Sequence, residues 1–276
     1  MPAPALATLY RTAFVTGASA GLGFAFAEHL LAEGVCVWGT ARDPARLGAL
    51  AARPGFTAVA LDLRDGPAAG AALQQAMSAA GGFDLVINNA GFGVFGGTAA
   101  TDADVWRDQI DAMLQTTLRL AHDALRDMTA RGRGVLVNVT SLAVEFPLPG
   151  LSGYNVAKAG LAAWSESVAY ELAPGGGVAV IDFRPGDYRT DFNRATAHAG
   201  AATPALDRVW RRLEANLAAA PAPARAVADL HRALLRPRSG VVRSGDFFQA
   251  RLAPLLARLA PAGLRRAVQR RYFGLS

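Results

Sequence analysis

The chain has 276 residues, a mass of 28.7 kDa, 52% hydrophobic residues and a formal charge of +6, which suits one large globular domain and excludes wholesale disorder. Its single cysteine, Cys36, lies in an apolar run, so disulfides within the chain are excluded, no metal site is expected, and a buried structural thiol is. No stretch approaches the roughly 20 apolar residues of a membrane span, and the N-terminus lacks the charged start, apolar core and cleavage site of a leader, so a cytoplasmic protein is expected.

From Thr12 onward short apolar runs alternate with longer amphipathic segments. The runs "TAFVT", "VCVWGT", "FTAVAL", "DLVINN", "GVLVNVT" and "VAVIDF" read as strands, with a seventh in "GVVRSG" at 240–245. Continuous apolarity marks strands buried on both faces. Alternation of strand and helix predicts an α/β, doubly wound, mostly parallel seven-stranded sheet with helices on both faces, in one domain over 1–276. Three segments break the rhythm: 141–153, 184 to about 223, and the tail. Ligands bind beyond the carboxyl ends of strands in such sheets, so the first two are expected to form a pocket with a lid around 187–222. The tail, around 247–276, reads as a helical extension.

The first strand runs into Thr16-Gly17-Ala18-Ser19-Ala20-Gly21-Leu22-Gly23 and then into the helical run "FAFAEHLLAEG". Glycines there permit a tight turn and close approach of a pyrophosphate, which the helix N-terminus meets with unpaired N–H groups. The second strand ends in Gly39-Thr40-Ala41-Arg42-Asp43. A small residue followed by Arg42 favours the 2′-phosphate of NADP(H) over the free ribose of NAD(H), which stays possible. Asp43 either neutralises Arg42 or begins the helix before Pro44.

Further along, Ser141 closes the strand "GVLVNVTS", and Tyr154 and Lys158 stand at i and i+4 on a helix predicted to begin near Ser152. Lys158 is the sole lysine among 28 basic residues, and a compact, rotatable ammonium is not interchangeable with a guanidinium. An ammonium beside a phenol favours the phenolate and is expected to lower the tyrosine pKa, giving a general acid and base. The Ser141 hydroxyl would donate to a substrate carbonyl; the alternative is a turn-forming serine.

With "TGASAGLG", "NNAG" at Asn88 to Gly91, Ser141, "YNVAK" and "RPGDYRT" at Arg184 to Thr190 in view, the chain resembles the short-chain dehydrogenase/reductase family in its NADP-preferring form, from Thr12 to roughly Asp191. The resemblance implies a Rossmann fold and assigns Thr16, Gly17, Ser19, Gly21, Leu22 and Gly23 to the cofactor turn. It implies Asp62 and Leu63 near the adenine, and Asn89, Ala90 and Gly91 near the adenosine ribose. Pro185, Gly186 and Thr190 would line the nicotinamide. Ser141 would polarise the substrate carbonyl, Tyr154 would exchange the proton, and Lys158 would bind the nicotinamide ribose while tuning Tyr154. A homodimer or homotetramer through the helices containing Met113 and Tyr154 is implied as well.

One family position departs. Met113 stands where such proteins carry an asparagine that holds a water between the lysine and solvent, and a thioether is only a weak acceptor. Three explanations compete: a helix bulge that brings in Gln115, Thr116 or Thr117, another water path, or a nucleotide binder with poor catalysis.

The segments "GFGVFGG" at 91–97 and "LAVEFPLPGL" at 142–151, with Tyr188, Phe192 and Trp210, suggest an apolar pocket for a small carbonyl or alcohol substrate. Glu145 is expected to orient a polar substrate group or to face water, and His198 to be solvated. The small residues of 194–204 suit a mobile lid. Basic residues are interleaved with acids until about 225 and dominate afterwards. A solvated surface explains this without a nucleic acid. The tail reads as an amphipathic helix broken by Pro254 and Pro261, with packing on the body or a sister subunit favoured over contact with an anionic membrane. The leading function is an NADP(H)-dependent oxidoreductase. Its alternatives are a noncatalytic NADP(H)-binding regulatory protein and a nicotinamide-using epimerase or dehydratase.

Overall fold

A computed structural model describes residues 5–275, so the ends of the expected domain and tail, 1–4 and 276, lie outside the described residues. The chain runs β1 (Thr12–Val15), α1 (Gly21–Ala32), β2 (Cys36–Ala41), the short α2 (Gly48–Ala51), β3 (Phe56–Ala60), α3 (Gly66–Ala80) and β4 (Leu85–Asn88). Then come β5 (Val94–Phe95), α4 (Ala103–Ile110), a π-helical turn at Asp111–Thr116, α5 (Thr117–Arg131), β6 (Gly134–Val139), α6 (Ser152–Glu171) and β7 (Val178–Pro185). The last part holds β8 (Ala197–His198), α7 (Pro204–Ala219), α8 (Ala224–Leu235), β9 (Gly240–Ser244), α9 (Ala253–Leu259) and α10 (Ala262–Tyr272).

All seven expected strands join one parallel sheet in the order β3-β2-β1-β4-β6-β7-β9. Because side chains alternate across a strand, Ala13 and Val15 enter the core beneath α1 and α8, while Phe14 enters the opposite core beneath α3, α5 and α6. The first core is filled by Phe26 and Leu30 of α1 and Leu230 and Leu234 of α8. Each such side chain contributes about 1.5–3 kcal/mol by burial. His29 and His231 meet across the same helix pair, Nε2 to Nδ1 2.9 Å. On the other face, Leu73, Leu120 and Met128 pack on Phe14 and Val180. Strand order reverses between β1 and β4, which opens a crevice at their carboxyl ends.

Several expectations need correction. Cys36 is exposed, because it is the first residue of β2 and sits at the rim of the sheet. Tyr188 is 3% exposed and belongs to the core under α8, with its hydroxyl 2.5 Å from Ser244 Oγ, so it lines no pocket. Pro254 does not break the tail helix: it falls in the first turn of α9, directly after a π-helical turn at Phe248–Leu252. A proline in a first helical turn removes an N–H that has no partner there. Pro261 does separate α9 from α10. The segment expected to act as a lid is pinned as well as small, since β8 pairs with β5 and Thr203 caps α7 by accepting from Leu206 N–H at 3.2 Å.

Candidate active site

Each element at the crevice ends in a group that ties it to the next. The Thr16 hydroxyl, past β1, accepts from the N–H groups of Asn89 and Ala90, both at 2.9 Å. Asn89 Nδ2 donates to the Thr16 carbonyl at 3.0 Å, and Gly17 N–H donates to Thr40 Oγ1 at 3.2 Å. The glycine turn is thus stitched to the ends of β2 and β4. Gly17 has φ +69°, and a Cβ there would meet Ala90 Cα at 2.9 Å; a Cβ on Gly23 would meet the Gly17 carbonyl oxygen at 2.2 Å. Ala20, at the N-cap of α1, supplies no side-chain acceptor. The first N–H groups of this helix therefore stand uncapped beside a backbone cradle, a fit for a pyrophosphate.

Around this turn, Thr190 comes within 3.6 Å of where a Cβ of Gly21 would lie, so the segment after β7 reaches across to α1. Asp62 accepts from Arg64 N–H at 3.0 Å, and Leu63 is buried at the end of β3. Arg42 is exposed and has no ion-pair partner among the described residues. The open choice for Asp43 resolves toward capping: its Oδ1 accepts from Ala45 N–H at 3.0 Å and begins a 3-10 turn at Pro44–Leu47.

The second half of the site is built on β6 and α6. Ser141 follows β6 and its Oγ accepts from Ala143 N–H at 3.0 Å. The helix of Tyr154 and Lys158 begins at Ser152, as expected. Lys158 is 5% exposed; its Nζ donates to the Val139 carbonyl at 2.7 Å and lies 5.8 Å from the Tyr154 ring centre. Burial pulls the lysine down to about 8, against the opposing pull of the Asp182 carboxylate.

Tyr154 moves opposite to the expectation. Burial of the phenol raises its pKa, the Ser141 hydroxyl opposes that rise, and the Asp187 carboxylate adds to it. Desolvation of the phenol is the largest of these effects and sets the direction. In this state the phenol is protonated through neutral pH.

Glu145 also departs from both expected roles. It accepts from Arg184 Nη1 at 2.9 Å and Arg243 Nε at 2.6 Å, inside a network that continues to Asp182. Pro185 is buried at the end of β7, and a Cβ on Gly186 would meet Gln249 Oε1 at 2.6 Å. Gln249 Nε2 in turn donates to Asp187 Oδ2 at 2.9 Å. Phe192 stands edge-on to Tyr154 with ring centres 5.6 Å apart. Trp210 packs on Phe95 and edge-on to His198, at 4.9 and 4.4 Å between centres, and His198 is exposed, in line with the expected solvated histidine.

Met113 does reach the lysine: a Cβ on Gly91 would stand 3.0 Å from its Cε and 3.6 Å from Lys158 Nζ. The helix bulges here as a π turn, yet Gln115 is exposed and Thr116 Oγ1 faces Gly66. Sequence reasoning missed Gln109, Asp187 and Gln249. Gln109 is fully buried, donates to the Phe92 carbonyl at 2.9 Å, and keeps its Oε1 without a partner beside Gly153. A polar residue one helical turn before Met113 was the available signal.

Residues 11–200 match a family model described as short chain dehydrogenase. The chain is 31% identical over 210 residues to the oxidoreductase calM of Penicillium decumbens, covering 70% of this chain and 69% of that protein. It is 34% identical over 179 residues to a probable NADP-dependent dehydrogenase of Haemophilus influenzae, covering 63% and 70%. Among solved structures, a short-chain dehydrogenase from Streptomyces avermitilis superposes with a TM-score of 0.79 at 29% identity, over 94% of this chain and 97% of that one.

Proposed function

The chain belongs to the short-chain dehydrogenase family and is an NAD(P)-dependent oxidoreductase, and from that premise we propose that it moves hydride between NADP(H) and a carbonyl or alcohol carbon of a small apolar substrate. The observation that carries this reading is a buried Lys158 beside Tyr154 and Gly91, at the same end of the sheet as an uncapped α1. When bound, the dinucleotide supplies or accepts the hydride at its nicotinamide C4.

The residues divide the remaining work. Thr16, Gly17, Ser19, Gly21, Leu22 and Gly23 present backbone to the pyrophosphate. Asp62 and Leu63 border the adenine, Asn89, Ala90 and Gly91 the adenosine ribose, and Pro185, Gly186 and Thr190 the nicotinamide. Lys158 holds the second ribose. Ser141 donates to the substrate oxygen, and Tyr154, protonated at neutral pH, delivers a proton to it during carbonyl reduction. Phe95, Phe192 and Trp210 offer the apolar wall, with 187–222 as its lid. Two or four copies meeting through the helical segments that contain Met113 and Tyr154 complete the assembly.

Arg42 supports NADP(H), because its guanidinium is exposed at the end of β2 while Asp43 is occupied as a cap. Arg42→Ala should weaken NADPH about tenfold or more by loss of a charge-assisted contact, with NADH within about twofold by the same argument. The measurement is a binding titration with each nucleotide, followed by a carbonyl and alcohol panel read by nicotinamide absorbance. Equal losses would overturn the assignment.

For proton supply we infer that Gln109 takes the part that Met113 lacks, since its orphaned Oε1 is a buried acceptor beside Gly153, the neighbour of Tyr154. Met113→Asn should then leave kcat within about twofold, whereas Gln109→Leu should lower kcat about tenfold with KM unmoved. A gain in turnover for Met113→Asn together with an inert Gln109→Leu would count against it.

A further inference from the structure

Exposed apolar surface is concentrated in the tail. Twelve large hydrophobic side chains are exposed among the described residues, and nine of them lie between Phe247 and Tyr272. They are ordered along the helices. Leu252, Leu255, Leu256 and Leu259 recur at i, i+3, i+4 and i+7 through the π turn and α9, and Leu264, Val268 and Tyr272 at i, i+4 and i+8 of α10. Leu259 is 77% exposed.

The same stretch is wholly cationic. Residues 247–276 contain six arginines, at 251, 258, 265, 266, 270 and 271, and no acidic residue. On α10 the helical period sets Arg266 and Arg270 on the side away from the Leu264–Val268–Tyr272 stripe.

The helices are mounted so that these stripes stay outside. Phe273, 4% exposed, plugs into a cluster with Leu151, Val209 and Leu213, against which Tyr154 packs. Gln269 Nε2 donates to the Pro147 carbonyl at 2.7 Å, and Arg212 of α7 stacks over the Tyr272 ring at 4.3 Å. The tail is therefore fixed at both ends, at its start by Gln249 on Asp187 and the buried Ala250 and Pro254 and at its end by Phe273, and the leucine stripe between them stays exposed.

We propose that α9 and α10 form an interfacial anchor that seats the protein on an anionic lipid bilayer, apolar stripes among the headgroups and arginines on lipid phosphates. Charge selects this occupant. A two-fold contact centred on this surface would bring the arginines of one protomer up to those of its partner, with no acid in the stretch to balance them. Among the described residues no helix is long and apolar enough to cross a membrane, and the proposed contact lies on the bilayer surface. It is a binding property, tested without turnover.

The full chain should co-sediment with vesicles of phosphatidylcholine mixed with phosphatidylglycerol, about tenfold more tightly than with phosphatidylcholine alone. Leu255→Glu with Leu259→Glu should abolish sedimentation, and Arg266→Gln with Arg270→Gln should weaken it about tenfold; thermal melting shows that each variant is folded. The mass in solution is measured for the same proteins. Equal binding to both vesicle types, or none to either, overturns the proposal. So does a Leu255→Glu, Leu259→Glu variant that binds vesicles as before but falls to a smaller assembly, an outcome that gives this surface to a second copy.

Discussion

Tyr154→Phe should lower turnover about a thousandfold, within the range for losing one positioned proton donor, and leave dinucleotide binding unmoved. The substitution removes one hydroxyl and keeps the ring that stands 5.6 Å from Phe192 and packs against the cluster of Phe95, Leu151 and Phe273. Ser141 retains its bond from Ala143 N–H. Structure is therefore conserved while the proton is lost from the reaction, and a thousandfold loss corresponds to about 4 kcal/mol of barrier. The raised phenol pKa adds a direction. Carbonyl reduction, which needs the protonated phenol, should persist through neutral pH; alcohol oxidation, which needs the phenolate, should rise as pH increases. A variant that keeps turnover within about tenfold of the parent would show that another group carries the proton.

Much of this was legible because the fold states itself through strands. β4 and β6 are buried at every position, so an unbroken apolar run identifies them without tertiary information. The glycine turn is legible for a steric reason, since Gly17 and Gly23 sit where any Cβ would strike backbone. What failed depended on distant partners. Glu145 looks like a lone charge in an apolar loop, yet Arg184 and Arg243, which neutralise it, arrive from β7 and β9. Tyr188 looks like a pocket aromatic until Ser244 takes its hydroxyl under α8. The phenol pKa went the wrong way because helical spacing conveys that Lys158 is near, and not that the phenol itself is desolvated in the packed structure. Gln109 and Gln249 are polar residues whose burial only the packed structure reveals.

Lys158→Met separates chemistry from stability. Turnover should fall at least about a hundredfold, because the variant loses the ribose contact proposed for Lys158 and the ammonium beside the phenol. Stability at pH 7 should nevertheless rise. An ammonium that titrates near 10.5 in the unfolded chain and at about 8 in the folded one costs about 3 kcal/mol at pH below both values. Deleting it leaves the buried Val139 carbonyl without its donor, which returns about 1–2 kcal/mol of that gain. A net increase of about 1–2 kcal/mol is expected in urea unfolding of the ligand-free protein at pH 7. The sign of the pH dependence provides the check. Between pH 8 and about 10 the folded lysine has released its proton while the unfolded chain still binds one, so the parent gains stability as pH rises and the variant does not. The advantage of the methionine should therefore shrink or reverse by about pH 9.5. Above 10, unfolded tyrosine begins to ionise and the raised Tyr154 pKa turns the slope downward, so the comparison belongs below that point. A variant less stable than the parent at pH 7, or a difference that does not change with pH, would mean that the buried ammonium carries no desolvation cost. Lys158 would then be a structural donor to β6 and no longer a strained group held in place for the reaction.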